Sequence, residues 1–347
     1  MVMTATTRHI IIAMTAAMIA AVWPLNARGG DSSPAYNFLN ITPSSRIYGL
    51  GGINISAIDA GIMSVEQNPA LLGPEYEGDV ALSYMRYIGG SNFASAAFGH
   101  RAGERSAYGV AIRYFGYGDI DRTDASGANI GSFSPKDLAV SGTYSRDITE
   151  TLRGGATLKW TYSSYDSYSA MAVAVDLGVN YYDPDRDLSL SAAVVNLGGQ
   201  VKRFNESYDR LPIDVRLGWT QSFPGLPVRF SVTAWNLTKW HLPYYETGDG
   251  STDAQPEVKQ SFASDLFRHL IFAADFVPSS RFNIGIGYNY KTRTDMSTYS
   301  RTLLSGLSIG AGMQSDSWGI GIAFAQPHRG SSTFLINLSA SIARLLK

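Results

Sequence analysis

From Gly78 onward the chain repeats with a period of two, and the two faces of that repeat have the wrong chemistry for a water-soluble sheet. Met171, Val173, Val175, Leu177, Val179 and Tyr181 alternate with Ala170, Ala172, Ala174, Asp176, Gly178 and Asn180. Phe282, Ile284, Ile286, Tyr288 and Tyr290 alternate with Asn283, Gly285, Gly287 and Asn289, and Trp318, Ile320, Ile322 and Phe324 with Gly319, Gly321, Ala323 and Ala325. Successive side chains of a strand point to opposite sides, so each segment has one bulky apolar face and one small or polar face. A soluble sandwich keeps bulk inside and charge outside. Here the small and polar face must look into a lumen and the bulky face at lipid. Charged residues make up 16% of the 347 residues, against roughly 25% in soluble domains, too few to cover a large wet surface. A mean hydropathy of −0.05 excludes a polytopic helical membrane protein.

Segments of this kind fall at about 79–88, 93–101, 106–116, 136–146, 152–165, 168–182, 187–198, 211–222, 227–238, 266–277, 281–290, 302–313, 317–326 and 332–343. Most reach the roughly 9–11 residues that a tilted strand needs to cross a bilayer. The connections alternate in length. Ala102–Arg105, Asp147–Thr151, Asp183–Arg186, Phe223–Leu226, Pro278–Ser280 and Gln314–Asp316 are short, whereas Tyr117–Pro135, Gly199–Arg210, Lys239–Asp265 and Lys291–Arg301 are long. Short periplasmic turns and long outer loops, with an even number of strands closing the sheet, predict an all-β membrane barrel of about fourteen antiparallel strands over 78–347. Trp160, Tyr162, Tyr181, Tyr182 and Trp219, with Trp240, Tyr244 and Tyr245 at the base of the longest loop, suit an interfacial aromatic belt.

Two N-terminal segments lack this alternation. Arg8 and His9 precede an apolar run from Ile10 to Val22, the length of a signal-peptide core and short of a spanning helix, so residues 1–27 read as an export signal. Residues 28–77 read as a plug inside the lumen, centred on Gly49–Pro74 and its Asn68-Pro69-Ala70 turn. Gly49-Leu50-Gly51-Gly52 lacks the Lys-Ser/Thr and helix of a phosphate loop; its glycines suit close backbone approach.

Several short strings, in this order, carry a resemblance: Tyr36-Asn37-Phe38-Leu39-Asn40, Gly49-Leu50-Gly51-Gly52, Gln67-Asn68-Pro69-Ala70-Leu71-Leu72, Asp121-Arg122-Thr123-Asp124 with Gly131-Ser132-Phe133, Asn196-Leu197-Gly198-Gly199-Gln200, Leu211-Pro212 and Arg229-Phe230-Ser231-Val232-Thr233. Over nearly the whole exported chain it resembles the PorV/PorQ family of the type IX secretion system. That family is similar in fold to the FadL fatty-acid transporter, a fourteen-strand barrel with an N-terminal plug. The resemblance implies a non-enzymatic outer-membrane component of a cell-surface attachment complex that links cargo to lipopolysaccharide. Implied partners are PorU-like, PorV-like and PorZ-like proteins, with outer-membrane lipid around the barrel. One departure is the ending Ala343-Arg344-Leu345-Leu346-Lys347, without the terminal Phe common in such barrels.

No enzymatic chemistry stands out. The five histidines are scattered without metal-ligand spacing, there is no cysteine, no cofactor motif and no hydrolase elbow, and a net charge of −1 argues against nucleic acid. Arg113, Lys159, Asp176, Asp214, Arg216 and Arg229 fall on the small-polar face. They read either as a selectivity ring or as a salt-bridge network joining plug to wall. Trp240, Tyr244 and Tyr245 read as anchors for a docking partner. Scaffolding of surface partners is the leading functional reading. The alternative is a FadL-like carrier of hydrophobic small molecules, which needs an apolar pocket beside the plug and a break in the wall.

Overall fold

The computed structural model describes residues 36–205, 208–223, 225–240, 242, 261–296, 305–328 and 331–345. Alternation becomes a wall: β1 (Asp79–Arg86), β2 (Asn92–Arg101), β3 (Ser106–Gly116), β6 (Lys136–Asp147), β7 (Leu152–Tyr165), β8 (Tyr168–Asp183), β9 (Leu188–Lys202), β10 (Asp214–Ser222), β11 (Val228–Ala234), β12 (Leu270–Ser279), β13 (Phe282–Asn289), β14 (Leu307–Gln314), β15 (Trp318–His328) and β16 (Ser331–Ser341). Each pairs antiparallel with its neighbours, and β1 pairs β16 to close a fourteen-strand barrel. Closure leaves no sheet edge in lipid, where an unpaired N–H or C=O costs several kcal/mol. The apolar face points outward as expected: Ile284, Ile286, Ile320 and Ile322 are exposed, while Gly285, Gly287, Gly319 and Gly321 are buried. The chain is an outer-membrane β-barrel, and no described helix is long and apolar enough to cross a membrane.

Several boundaries differ from the alternation. β10 starts at Asp214 because Pro212 has no N–H to give the ladder; its carbonyl accepts from Asn196 Nδ2 instead (3.1 Å). β11 stops at Ala234, just before Asn236 takes a left-handed backbone (φ 53°). Leu266 to His269 are not strand. Ser261 caps α2 (Phe262–Arg268), its side chain accepting from Ser264 N–H, and β12 begins only at Leu270. Tyr290 opens helix α3 (Tyr290–Met296) rather than ending β13. The outer loop after β3 is also not irregular throughout: β4 (Ile120–Thr123) and β5 (Asn129–Phe133) pair as a separate hairpin.

β9 carries the one bulge that matters for the interior. Val194 faces outward, Val195 and Asn196 both face inward opposite Asp176, and Leu197 resumes the outward face. Asn196 sits at φ 58°, a conformation Asn tolerates better than most residues.

The described part of the plug, residues 36–77, lies in the lumen without joining the sheet. α1 (Ser45–Gly49) packs against β13 to β16, the turn Pro69–Leu71 against β6 to β8, and Ile62–Glu66 against β1 and β2. Wall glycines make this possible. A Cβ at Gly287 would stand 2.1 Å from Gly51 N, and one at Gly310 would stand 3.1 Å from Gly49 Cα. No side chain larger than hydrogen fits at the first of these without moving backbone.

With fourteen strands paired, the folded barrel is expected to stay compact in cold SDS and to slow on a gel after boiling. Identical mobility before and after heating would count against the closed sheet.

Candidate functional site

The lumen has three levels, defined by which plug residues meet which wall residues. At the periplasmic mouth, two arginines hold Asp59. Arg229 Nη1 lies 2.5 Å and Arg46 Nη1 3.3 Å from its carboxylate. Arg46 also binds Asp275 (2.7 Å), and Arg229 Nε reaches Asp187 (3.3 Å). A cavity of about 20 Å³, bordered by Arg46, Asp59 and Arg229, adjoins this latch, room for about one water. Burial alone would raise the Asp59 carboxyl, but Arg46 and Arg229 hold it below the ordinary carboxylate range.

The sign of that shift sets a pH window. A carboxyl lowered on folding adds stability above its unfolded value, about 3.9, and loses it as pH falls through the lower folded value. Asp59→Asn is therefore expected to lower the urea midpoint at pH 7, with the gap to the wild type closing below about pH 4. An equal gap at pH 3 and pH 7 would show that Asp59 acts by shape and not charge.

At the waist, six charges are buried together: Glu66 from the plug and Arg113, Lys159, Asp176, Asp214 and Arg216 from the wall. Arg113 pairs with Glu66 and donates to the Leu39 carbonyl (3.0 Å), while Ser141 Oγ donates to Glu66 (2.7 Å). Arg216 donates to Asp214 (2.6 Å), to Gln67 (3.1 Å) and to Asn40 (3.4 Å). Lys159 bridges Asp176 (2.5 Å) and Asn196 (3.0 Å), whose own N–H donates to Asp176 (2.7 Å). Three cations thus face three anions, with no net charge left over. Isolated, any one of them would be far too costly to bury; paired and hydrogen-bonded, they are tolerated.

Beside the waist, Asn68-Pro69-Ala70 forms a capped turn. Asn68 Oδ1 accepts from Ala70 N–H (3.0 Å), and its Nδ2 donates to the Ile55 carbonyl (3.0 Å). Gly155 and Gly178 leave room for it: a Cβ there would lie 2.6 Å from the Pro69 carbonyl carbon and 1.9 Å from Asn68 Oδ1.

Toward the outer end the lumen turns apolar. Met85, Phe93, Phe115, Ala139, Ala170 and Leu335 line a wall against which Tyr36, Phe38, Leu39 and Tyr48 of the plug are packed. Tyr36 holds a left-handed backbone (φ 63°) that is unusual for an aromatic residue, and its hydroxyl accepts from Gln200 Nε2 (2.9 Å). The chamber is filled by the chain's own side chains.

The sequence-derived residues divide across these levels. Arg113, Arg216 and Arg229 bond the plug directly, whereas Lys159, Asp176 and Asp214 bond within the wall. Arg229 belongs to the periplasmic latch and not to the waist. Trp240 stands on the outer rim, its ring 5.3 Å from Phe262 and 5.5 Å from His269; Tyr244 and Tyr245 lie outside the described residues. Sequence reasoning missed Glu66, Asp59, Arg46 and Asn196 as partners. The only available signal was at Asn196, where two consecutive inward residues break the alternation.

The wall is also less regular on one side. Above Val195, β9 continues to Lys202 paired with β8, but β10 has already ended at Asp214. Contacts from residues 208–212 take over there, with Asp209 N–H donating to Gln200 (2.8 Å).

No family model matches the chain, and no curated protein matches its sequence. Among solved structures it is similar to the Pseudomonas putida toluene transporter TodX, with a TM-score of 0.54 at 11% identity, covering 86% of this chain and 97% of that one. It also aligns with a Pseudomonas aeruginosa FadL homologue (TM-score 0.47, 10% identity, 86% and 98% covered) and with the CymD monoaromatic hydrocarbon channel (0.48, 13%, 88% and 97%). At these identities the likeness to TodX is one of fold.

Proposed function

We propose that this barrel carries hydrophobic small molecules across the outer membrane, without forming an aqueous pore. The observation that carries this reading is the apolar outer chamber, walled by Met85, Phe93, Phe115 and Leu335 and filled by Tyr36, Phe38 and Leu39. A porin lumen is polar and wet; an apolar wall inside a barrel has no use for ions or sugars, but it suits a solute that can replace the plug's side chains. The end of β9–β10 pairing at Val195 and Asp214, beyond which residues 208–212 cover β9, supports this reading as the weak place in the wall. The toluene transporter that shares the fold points to the same class of solute.

The test is accumulation of radiolabelled toluene and decanoate in cells lacking their own hydrophobic-compound channels. Expression of the chain should speed uptake of both and leave uptake of a hydrophilic sugar unchanged. Equal uptake of apolar solutes with and without the chain would remove the carrier reading.

One observation favours a second reading, a scaffold of the attachment complex as the PorV/PorQ resemblance implies. Asp121-Arg122-Thr123-Asp124 and Gly131-Ser132-Phe133 form the outer hairpin β4–β5, whose residues are almost all exposed. Strings that bury nothing in the fold are available to surface partners, here PorU-like, PorV-like or PorZ-like proteins and lipopolysaccharide. Trp240→Ala with Tyr244→Ala, or removal of residues 120–133, should then release co-purifying surface proteins while heat-modifiability persists. Undiminished co-purification from both variants would end the docking reading for these loops.

A further inference from the structure

One sector of the barrel wall is too short for the membrane it crosses. β11 has seven residues, about 23 Å of extended chain, which at a tilt near 40° rises only about 18 Å against an apolar band of about 25 Å. The neighbouring β12 does not begin until Leu270, so strands stop below the outer rim here, and the chain continues as α2.

α2 is amphipathic in an orientation that water does not explain. At 100° per residue, Phe262, Leu266 and Phe267 share one arc, and all three are exposed, Phe262 at 71%. Asp265 and Arg268 fall on the opposite arc and are buried. The exposed arc is continuous with the lipid-facing wall. The Phe267 ring lies 6.2 Å from Phe272, which points outward on β12, and 5.8 Å from Tyr290, while the Phe262 ring is tilted against Trp240 at 5.3 Å.

The buried arc fixes the helix to the barrel. Arg268 donates to the Leu242 carbonyl (2.7 Å) and pairs with Asp295 (3.1 Å), which also takes Lys291 (2.5 Å). The His269 ring lies between the carbonyls of Trp235 (2.9 Å) and Trp240 (3.0 Å). These bonds hold α2 in one orientation, its apolar side turned outward.

We propose that α2 lies in the outer leaflet with Phe262, Leu266 and Phe267 against lipid acyl chains, completing the apolar belt above β11, where the strand falls short. The occupant is lipid because the arc continues the lipid-facing surface through Phe272, sits at the outer end of the wall, and carries rings of the kind that settle at a membrane boundary. This placement is independent of which solute the lumen takes.

The chain has no cysteine, so single labels report one place each. Nitroxide-labelled Phe262→Cys and Leu266→Cys would be refolded into phosphatidylcholine vesicles. Phe276→Cys on the lipid-facing side of β12 serves as the lipid reference, and Ile130→Cys in the outer hairpin as the water reference. Heat-modifiability confirms that each variant is folded. The expected result is that positions 262 and 266 behave like 276, with strong collisions with oxygen and weak collisions with a water-soluble nickel chelate. Nickel accessibility matching position 130 at either helix position would overturn the proposal and leave this face open to a macromolecular partner.

Discussion

Replacing Glu66 by Leu is expected to destabilise the barrel more than replacing Glu66 and Arg113 together. In the single variant, Arg113 stays buried at 2% exposure and keeps only carbonyl acceptors at Leu39 and Ile41 for a full positive charge. Breaking a buried ion pair from one side costs about 3–5 kcal/mol, because the surviving charge is desolvated without compensation. Removing both partners, with Glu66→Leu and Arg113→Met, deletes the desolvation penalty along with the attraction. Such double replacements are often close to neutral. The measurement is urea unfolding of the protein refolded in lipid vesicles. The single variant should lose about 3–5 kcal/mol and the double variant clearly less than either single change. Losses that simply add would mean that the two residues do not act as a pair, and the plug would then be held by packing and not by charge.

This matters for function because the waist is where the plug is seated. Glu66, Gln67 and Asn40 are the plug's side-chain contacts to Arg113 and Arg216, and the apolar chamber lies directly beyond them. If the waist holds, residues 36–38 are the part left to yield to an entering solute, with Tyr36 already in an unfavourable backbone conformation.

The wall was readable in the sequence because a strand writes its environment into every second residue. Val173, Val175 and Leu177 against Ala172, Ala174 and Asp176 mark which side is lipid. The lumen-facing placement of Arg113, Lys159, Asp176, Asp214 and Arg216 followed from the same parity. Their partners did not. Glu66 and Asp59 sit in turns with no period, and their contacts are with strands distant in sequence, so nothing local marks them. The Asn196 bulge left a trace, since Val195 and Asn196 face the same side, but a single broken step also resembles a strand end. At α2 the apolar content suggested strand, and the Ser261 cap was the sign that a helix began there. The apolar chamber was hidden for a different reason: Met85, Phe93 and Phe115 stand on inward positions otherwise given to small residues, and alone they look like exceptions to the alternation.

The largest change expected in this protein comes from emptying its interior. A fourteen-strand barrel encloses more space than its own side chains fill, and residues 36–77 occupy that space through contacts around most of the wall, from β1 and β2 through β6, β7 and β8 to β13 and β16. Gly287→Leu attacks the same seat without deletion, since any side chain there meets Gly51 and Leu50 backbone. Single-channel recording in planar bilayers separates a plugged carrier from a porin most directly. The wild-type protein should be electrically silent, and deletion of residues 36–76 should produce large, steady openings, with Gly287→Leu giving intermittent ones. Steady porin-like conductance from the wild type, or silence after the deletion, would contradict a lumen closed by its plug.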